Sequence, residues 1–243
     1  YLGPEFKNDS IESYLKKNGY SYQTLNDEEL PKKIADLIAN EKVIGWFQGR
    51  MEFGPRALGS RTIIGDARSS EMQRTMNMKI KYRESFRPFA PSIRVENISD
   101  YFEIDRESPY MLLVANVKKE KQVTMSEQQN SYFGIEKLNI ARSEFPAITH
   151  VDYSARIQSV NKITNPRYHK MLTEFNNKYD CPIIVNTSFN VRGEPIVCTP
   201  KDAYLCFMRT EMDYLIMGNY LLDKKNQKPL TGDYAWMSEY ELD

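Results

Sequence analysis

The chain has 243 residues, with 33 Lys and Arg against 33 Asp and Glu, so its formal net charge is zero. That length suits one large domain or two small ones, and the balance gives no global pull toward nucleic acid or an acidic membrane surface. Three cysteines without CxxC spacing and only two histidines exclude a disulfide framework and a histidine-rich metal site.

No run of about 20 apolar residues and no signal peptide is evident, and the reducing cytoplasm is the expected compartment. YLGPEF opens without Met and reads as the interior of a longer chain. Residues 1–26 are expected to be an attachment, with Ser10 capping a short helix, IESYLKKN, that stops at Gly19. Asn26 and Glu29 then resemble a capping box. Leu30, Ile34, Leu37 and Ile38 form the apolar stripe of the helix that follows. A domain boundary is placed near residue 26. VIGWF at 43–47 reads as a buried strand.

Residues 49–66, GRMEFGPRALGSRTIIGD, predict an irregular loop lined by Arg50, Arg56 and Arg61, leading into a strand at Arg61–Ile64. Ser69 or Ser70 is expected to cap a helix carrying Met72 and Met76. FAPSIRV predicts a strand, NISDYF a short helical turn, and PYMLLVANV a long buried strand at 109–117. The polar stretch 118–145 reads as a long loop or lid. ITHVD and ARIQSV predict two more strands. Asn165 with Pro166 starts a helix that turns Met171, Leu172 and Phe175 inward. PIIVN is a strand, Thr199-Pro200 starts another helix, and DYLIMG with NYLLD closes the domain. This irregular alternation predicts an α/β fold, bordering on α+β, around a mixed sheet.

Three loop-like stretches carry polar groups beside apolar strands. The most concentrated is KIKYRESFRPFAPS, residues 79–92, where Lys79, Lys81, Arg83 and Arg87 surround a single acid, Glu84. In an extended start, Lys79, Lys81 and Arg83 would share a face. Arg87-Pro88 then ends the run in a turn flanked by Phe86 and Phe89. An apolar-backed turn with Lys and Arg suits oxyanions; a solvated basic face is the other reading. The second stretch is Arg50–Arg61. The third is NTSFNVRGE, where Asn186, Thr187, Ser188 and Asn190 follow strand PIIV at the place where open α/β sheets bind ligands. A turn with self-bonding Asn and Ser side chains is the alternative there.

Walker A, GxGxxG and GxSxG motifs are absent. His150 reads as a core histidine, although His150 and Asp152 would share a strand face with Arg156 near them. Glu52, Asp66 and Asp152 are carboxylates that could hold magnesium, with no spacing that singles one out.

With these stretches in view, the chain resembles the C-terminal part of the O-carbamoyltransferase family of nodulation, cephamycin and tobramycin enzymes. GRMEFGPRALGSR, FRPFAPS, PYML, ITHVDYSARIQSV, NPRYHKML and NTSFNVRGEPIVCTPKDA carry the match, over about residues 43–222. The resemblance implies a YrdC-like domain at 27–243, an open twisted mixed sheet with flanking helices. Residues 1–26 would be the linker or tail of an N-terminal Kae1-like domain that receives the activated group. It implies formation of carbamoyl adenylate from carbamoyl phosphate and ATP, with Mg2+ accompanying the nucleotide. Carried over residue by residue, Lys81 and Arg87 resemble the phosphate binders, Arg156 the Arg after the HVD strand, and Ser188 and Asn190 the SFN contacts. Asn186, Arg50 and Arg56 are further candidate ligands. The family often has Asp-Gly-Thr where this chain has Asp152-Tyr153-Ser154, and the bulky Tyr is expected to reshape that edge of the pocket. A nucleic-acid-binding YrdC-like module and a non-catalytic scaffold domain are the alternatives; nucleic acid is disfavoured by the zero net charge, and no membrane is expected.

Overall fold

The computed structural model describes residues 1–138 and 140–230. Helix α1 (Asn8–Asn18) and the short strand β1 (Gln23–Thr24) come first, followed by α2 (Glu29–Ala39), β2 (Ile44–Phe47) and β3 (Arg61–Asp66). Next are α3 (Met72–Met76), β4 (Ala90–Arg94), α4 (Ile98–Tyr101) and β5 (Leu113–Asn116), then the short helices α5 (Glu127–Asn130) and α6 (Ile135–Leu138). Strand β6 (Ser154–Val160), α7 (Pro166–Tyr179), β7 (Ile183–Ser188), α8 (Pro200–Arg209), β8 (Tyr214–Met217) and β9 (Tyr220–Asp223) complete the described chain. The predicted domain limit at residue 243 lies outside the described residues.

The nine strands form one mixed sheet in the order β1-β9-β8-β2-β3-β7-β4-β6-β5. Pairs β2–β8 and β4–β6 are parallel and the others antiparallel. This is the mixed α/β fold that the sequence pattern predicts. Its central strands are buried throughout, as IGWF and RTIIGD are, because helices cover the sheet. Helix α2 packs on α7 and β3, α7 reaches β4 and β7, and α8 lies on β2 and β8. The stripe Leu30, Ile34, Leu37 and Ile38 is buried as its spacing requires; burying each such side chain contributes about 1.5–3 kcal/mol.

Helix boundaries follow the capping chemistry. Asn26 Oδ1 accepts from the backbone N–H of Glu28 and Glu29, and Glu29 returns an acceptor to Asn26. Asn165 and Thr199 cap α7 and α8, each with Pro at the first turn. Ser10 lies inside α1, which starts at Asn8 and ends at Gly19 in the left-handed conformation. Neither Ser69 nor Ser70 caps α3. Residues 1–26 lie against the sheet: Ile11 and Leu15 are buried, and β1 pairs with β9.

Two predicted strands change character. Of PYMLLVANV only Leu113–Asn116 is extended, and it is the exposed edge of the sheet rather than a buried strand. An apolar run alone does not distinguish an edge from a centre. ITHVD is not a strand. His150 and Tyr153 close a turn, Tyr153 N–H donating to His150 O at 3.0 Å, with Tyr153 at φ +66°. The shared strand face expected for His150 and Asp152 therefore does not exist. Among the described residues no helix is long and apolar enough to cross a membrane.

Candidate functional site

The loop before β3 is folded around two buried charges. Glu52 is 5% exposed, and its carboxylate accepts from the backbone N–H groups of Leu58 (2.6 Å), Ser60 (2.8 Å) and Arg61 (3.1 Å). Arg61 is fully buried, with its guanidinium 3.6 Å from the centre of the Phe47 ring and donating to the carbonyls of Gln48, Gly49 and Pro4. Burial pushes the Arg61 pKa down to about 10. Gly59 closes the loop at φ +98°, where a Cβ would meet Tyr168 at 2.5 Å. Such a turn excludes other residues on both backbone and steric grounds. The result is a rigid loop that presents Arg56 at its exposed outer side.

The basic stretch 79–92 does not begin as an extended strand. Asn77–Lys81 is a π-helical turn and Tyr82 is left-handed at φ +49°. The three cations consequently part company. Lys79 pairs with Glu211 on the surface at 3.0 Å. Lys81 is 3% exposed and donates to Ser188 O (2.5 Å), Asn190 O (2.7 Å) and Asn190 Oδ1 (2.7 Å), with Ser188 Oγ at 3.2 Å. Burial, with some repulsion from Arg83, pushes Lys81 down to about 7. Buried Asn77 organises the rest: Oδ1 accepts from Arg83 Nε at 2.7 Å, and Nδ2 donates to the carbonyls of Ser85 and Arg87.

These loops meet at the end of β7. There a cavity of about 150 Å³ is lined by Arg56, Arg83, Arg156, Asn186, Ser188 and Met111, among others, and no carboxylate is among its lining residues. Burial and the neighbouring Arg56 lower the Arg156 pKa, and burial with Arg87 lowers that of Arg83 to about 10. Both of these charges are thus destabilised first by burial and then by a neighbouring arginine, and an anion beside them would offset both effects. Arg156 Nε is buried without a hydrogen-bond partner.

The predicted residues divide into three groups. Arg56, Arg156, Asn186 and Ser188 line the cavity. Lys81 and Asn190 stand behind it, where Lys81 ties the Ser188–Asn190 turn to the basic stretch. Arg50 and Arg87 point elsewhere. Arg50 donates to Gly3 O at 3.2 Å and lines a different cavity. The exposed Arg87 pairs with Glu84 at 2.9 Å, although its charge still acts on Arg83.

The candidate magnesium carboxylates are engaged by protein donors. Glu52 holds the loop, Asp66 pairs with Arg68 at 2.6 Å, and Asp152 accepts from Ser154 Oγ at 2.7 Å. Sequence reasoning did not assign Arg83 and Asn77 to the site, nor Gln158. For Arg83 a signal was present in its place two residues after Lys81. For Asn77 and Gln158, which act through side-chain hydrogen bonds to other segments of the chain, none was.

The profile described as "Carbamoyltransferase C-terminus" matches residues 35–224 of this chain. The chain belongs to that carbamoyltransferase family. An uncharacterized Synechocystis sp. protein, sll1178, is 59% identical over all of this chain, which covers 40% of that protein. Nodulation protein NolO of Bradyrhizobium diazoefficiens is 38% identical over 93% of the chain and 38% of its own length. The 3'-hydroxymethylcephem-O-carbamoyltransferase of Streptomyces clavuligerus is 32% identical over 76% of the chain and 31% of its own. The chain therefore spans well under half the length of these relatives. Within this carbamoyltransferase C-terminus Tyr153 holds a left-handed conformation that is most readily open to Gly.

Proposed function

We propose that this chain carries the carbamoyl-activating site of an O-carbamoyltransferase, making carbamoyl adenylate from carbamoyl phosphate and ATP. The observation that supports it best is the cavity faced by Arg56, Arg83 and Arg156 with no acid among its lining residues. Carbamoyl phosphate and a nucleotide are both anions, so a site that joins them must first screen their repulsion. Preorganised guanidinium groups do this and then stabilise the charge that develops on the pentavalent phosphorus. Net, one water is consumed. The carbamoyl–O–P link of carbamoyl phosphate opens, phosphate leaves, and the carbamate oxygen displaces pyrophosphate from the α-phosphorus of ATP.

In this reading the three arginines grip the reacting phosphates, Ser188 orients them, and Lys81 with Asn190 fixes the turn that carries Ser188. Magnesium would arrive with ATP, held by the phosphate oxygens and water, since no carboxylate lines the cavity. The 150 Å³ space is smaller than the usual small-molecule pocket of about 300–1,000 Å³. It holds the reacting anions, and the nucleoside extends into a neighbouring cavity of about 800 Å³ that shares Pro88 and is lined by Phe86, Arg142 and His150. Residues 1–26 serve as the tail of a preceding Kae1-like domain, which takes the carbamoyl group to an acceptor hydroxyl.

The test is carbamoyl-phosphate-dependent exchange of labelled pyrophosphate into ATP by the full-length protein. Exchange that is lost in a folded Arg156→Ala supports the reading; a folded protein that binds ATP and never exchanges refutes it. An RNA-binding module would instead bind RNA with an affinity that falls steeply as salt rises.

A further inference from the structure

The cavity contains one feature that a generic phosphate site does not need. Asn186 is 1% exposed, and its Nδ2 donates to Ala57 O at 2.9 Å and to Gln158 Oε1 at 2.8 Å. Both neighbours accept, which fixes the orientation of the amide. Gln158 is fixed in turn, because its Nε2 donates to Leu58 O at 2.8 Å and its Oε1 also accepts from Ser92 Oγ at 2.6 Å. Tyr168 OH completes the chain by donating to Ser92 Oγ at 3.1 Å. Asn186 Oδ1 is left buried without a partner, at a position lining a cavity that is otherwise rich in donors. An unpaired buried acceptor costs stability, so its retention asks for an explanation.

A complementary orphan lies close by. Arg156 Nε is a buried donor, also unpaired. Asn186 sits opposite Ala90 on the neighbouring strand. Ser92 is opposite Gln158, so Ala90 and Arg156, each two residues earlier, rise from that same sheet face. The donor and the acceptor therefore flank the small methyl group of Ala90. A group with a carbonyl oxygen on one side and an NH2 on the other would satisfy both.

We propose that Asn186 Oδ1 and Arg156 Nε read the carbamoyl group as an amide, Oδ1 accepting from its NH2 and Nε–H donating to its C=O. This deepens the function proposed above and rests on it for the identity of the ligand. It makes Asn186 the residue that separates carbamoyl phosphate from other acyl phosphates. Both atoms are closed to solvent, so the ligand reaches them as the cavity wall gives. Met111, an unbranched and adaptable side chain, is part of that wall.

The experiment is calorimetric titration of the full-length protein with carbamoyl phosphate and with acetyl phosphate, which replaces NH2 by methyl at equal charge. Wild type should prefer carbamoyl phosphate by about 100-fold or more, because methyl leaves Oδ1 unpaired. Asn186→Leu should shrink that ratio by about 10-fold or more. Gln158→Leu loosens the same anchor but retains Oδ1, so it should weaken both ligands alike and preserve the ratio. Equal binding of the two phosphates by wild type overturns the proposal without any variant, and so does an unchanged ratio in a folded Asn186→Leu. Pyrophosphate exchange measured alongside separates the two readings. Discrimination without exchange leaves amide recognition standing and removes the adenylate chemistry; exchange without discrimination does the reverse. Failure of both phosphates to bind counts against both.

Discussion

Arg61 and Arg156 both belong to inner strands of one sheet, and the protein treats them in opposite ways. Arg61 is fully buried, stacked on Phe47, with backbone carbonyls accepting from its guanidinium. Arg156 is partly exposed at the cavity, faces the charge of Arg56, and keeps an unpaired Nε. The difference teaches how to tell a structural cation from a binding one. A guanidinium solvated by the protein's own carbonyls has its free energy already committed to the fold. One held against a like charge gains its partner only when an anion arrives. By this criterion Lys81, surrounded by oxygens of Ser188 and Asn190, belongs with Arg61, although the family resemblance had placed it at the phosphates.

The largest expected effect separates the two arginines directly. Arg156→Ala should lower carbamoyl-phosphate-dependent pyrophosphate exchange by about 10²–10³-fold, the loss typical of one preorganised transition-state donor. Its thermal midpoint should stay level or rise, because the repulsion with Arg56 disappears. Arg61→Met should do the converse. It strands buried carbonyls and should destabilise the fold by about 2–4 kcal/mol, or roughly 10 °C in midpoint for a chain of this size. Calorimetric scans beside exchange rates on the full-length protein check both. If Arg156→Ala unfolds the protein while Arg61→Met merely slows it, the comparison is wrong.

Legibility in the sequence followed how local each determinant is. Helices α2, α7 and α8 were readable because their caps and apolar stripes are encoded within a few residues of each other. That NTSFN carries polar groups to the end of a buried strand was readable, because it directly continues the apolar PIIV, and Asn186, Thr187 and Ser188 do line the cavity there. The route of Lys79–Arg87 was not readable. The π-helical turn and the left-handed Tyr82 depend on Asn77, whose side chain bridges to Arg83, Ser85 and Arg87 up to ten residues away. Similarly, Gln158 earns its place only through Leu58, 100 residues distant. Residue types showed that cations gather here. Which of them are neutralised by protein oxygens is decided by tertiary contacts that no spacing announces.

A pH measurement sharpens the placement of Lys81. Its folded pKa is pushed down to about 7 from the ordinary lysine value of 10.5, chiefly by burial. Between those values the unfolded chain binds more protons than the folded one, so the contribution of Lys81 makes stability rise with pH from about 7 to 10.5. In Lys81→Met that part of the slope should vanish, and denaturant midpoints at pH 7 and 9 would read it. Anion affinity should move the other way, weakening as pH climbs past 7 in wild type, because the turn that carries Ser188 loses its charged anchor. An unchanged stability slope in Lys81→Met would mean that another buried cation sets it. Lys224, pushed down to about 8 by burial, would be the first to test.

The smallest effect concerns the cation that falls between the two classes. Arg87 is neither buried like Arg61 nor left facing a like charge like Arg156: Glu84 holds it at 2.9 Å and lies 3.9 Å from Arg192. Exposed pairs of this kind contribute little to stability, so Glu84→Gln should leave the thermal midpoint nearly unchanged. It does remove a carboxylate that acts on Arg83, Arg87 and Arg192 together. The potential at the cavity then becomes more positive, and carbamoyl phosphate should bind about two- to three-fold tighter at low salt, with the gain fading as ionic strength rises. If binding instead weakens, Glu84 is orienting Arg87 toward the ligand rather than withholding it. Arg87 would then join the cavity arginines as a phosphate contact.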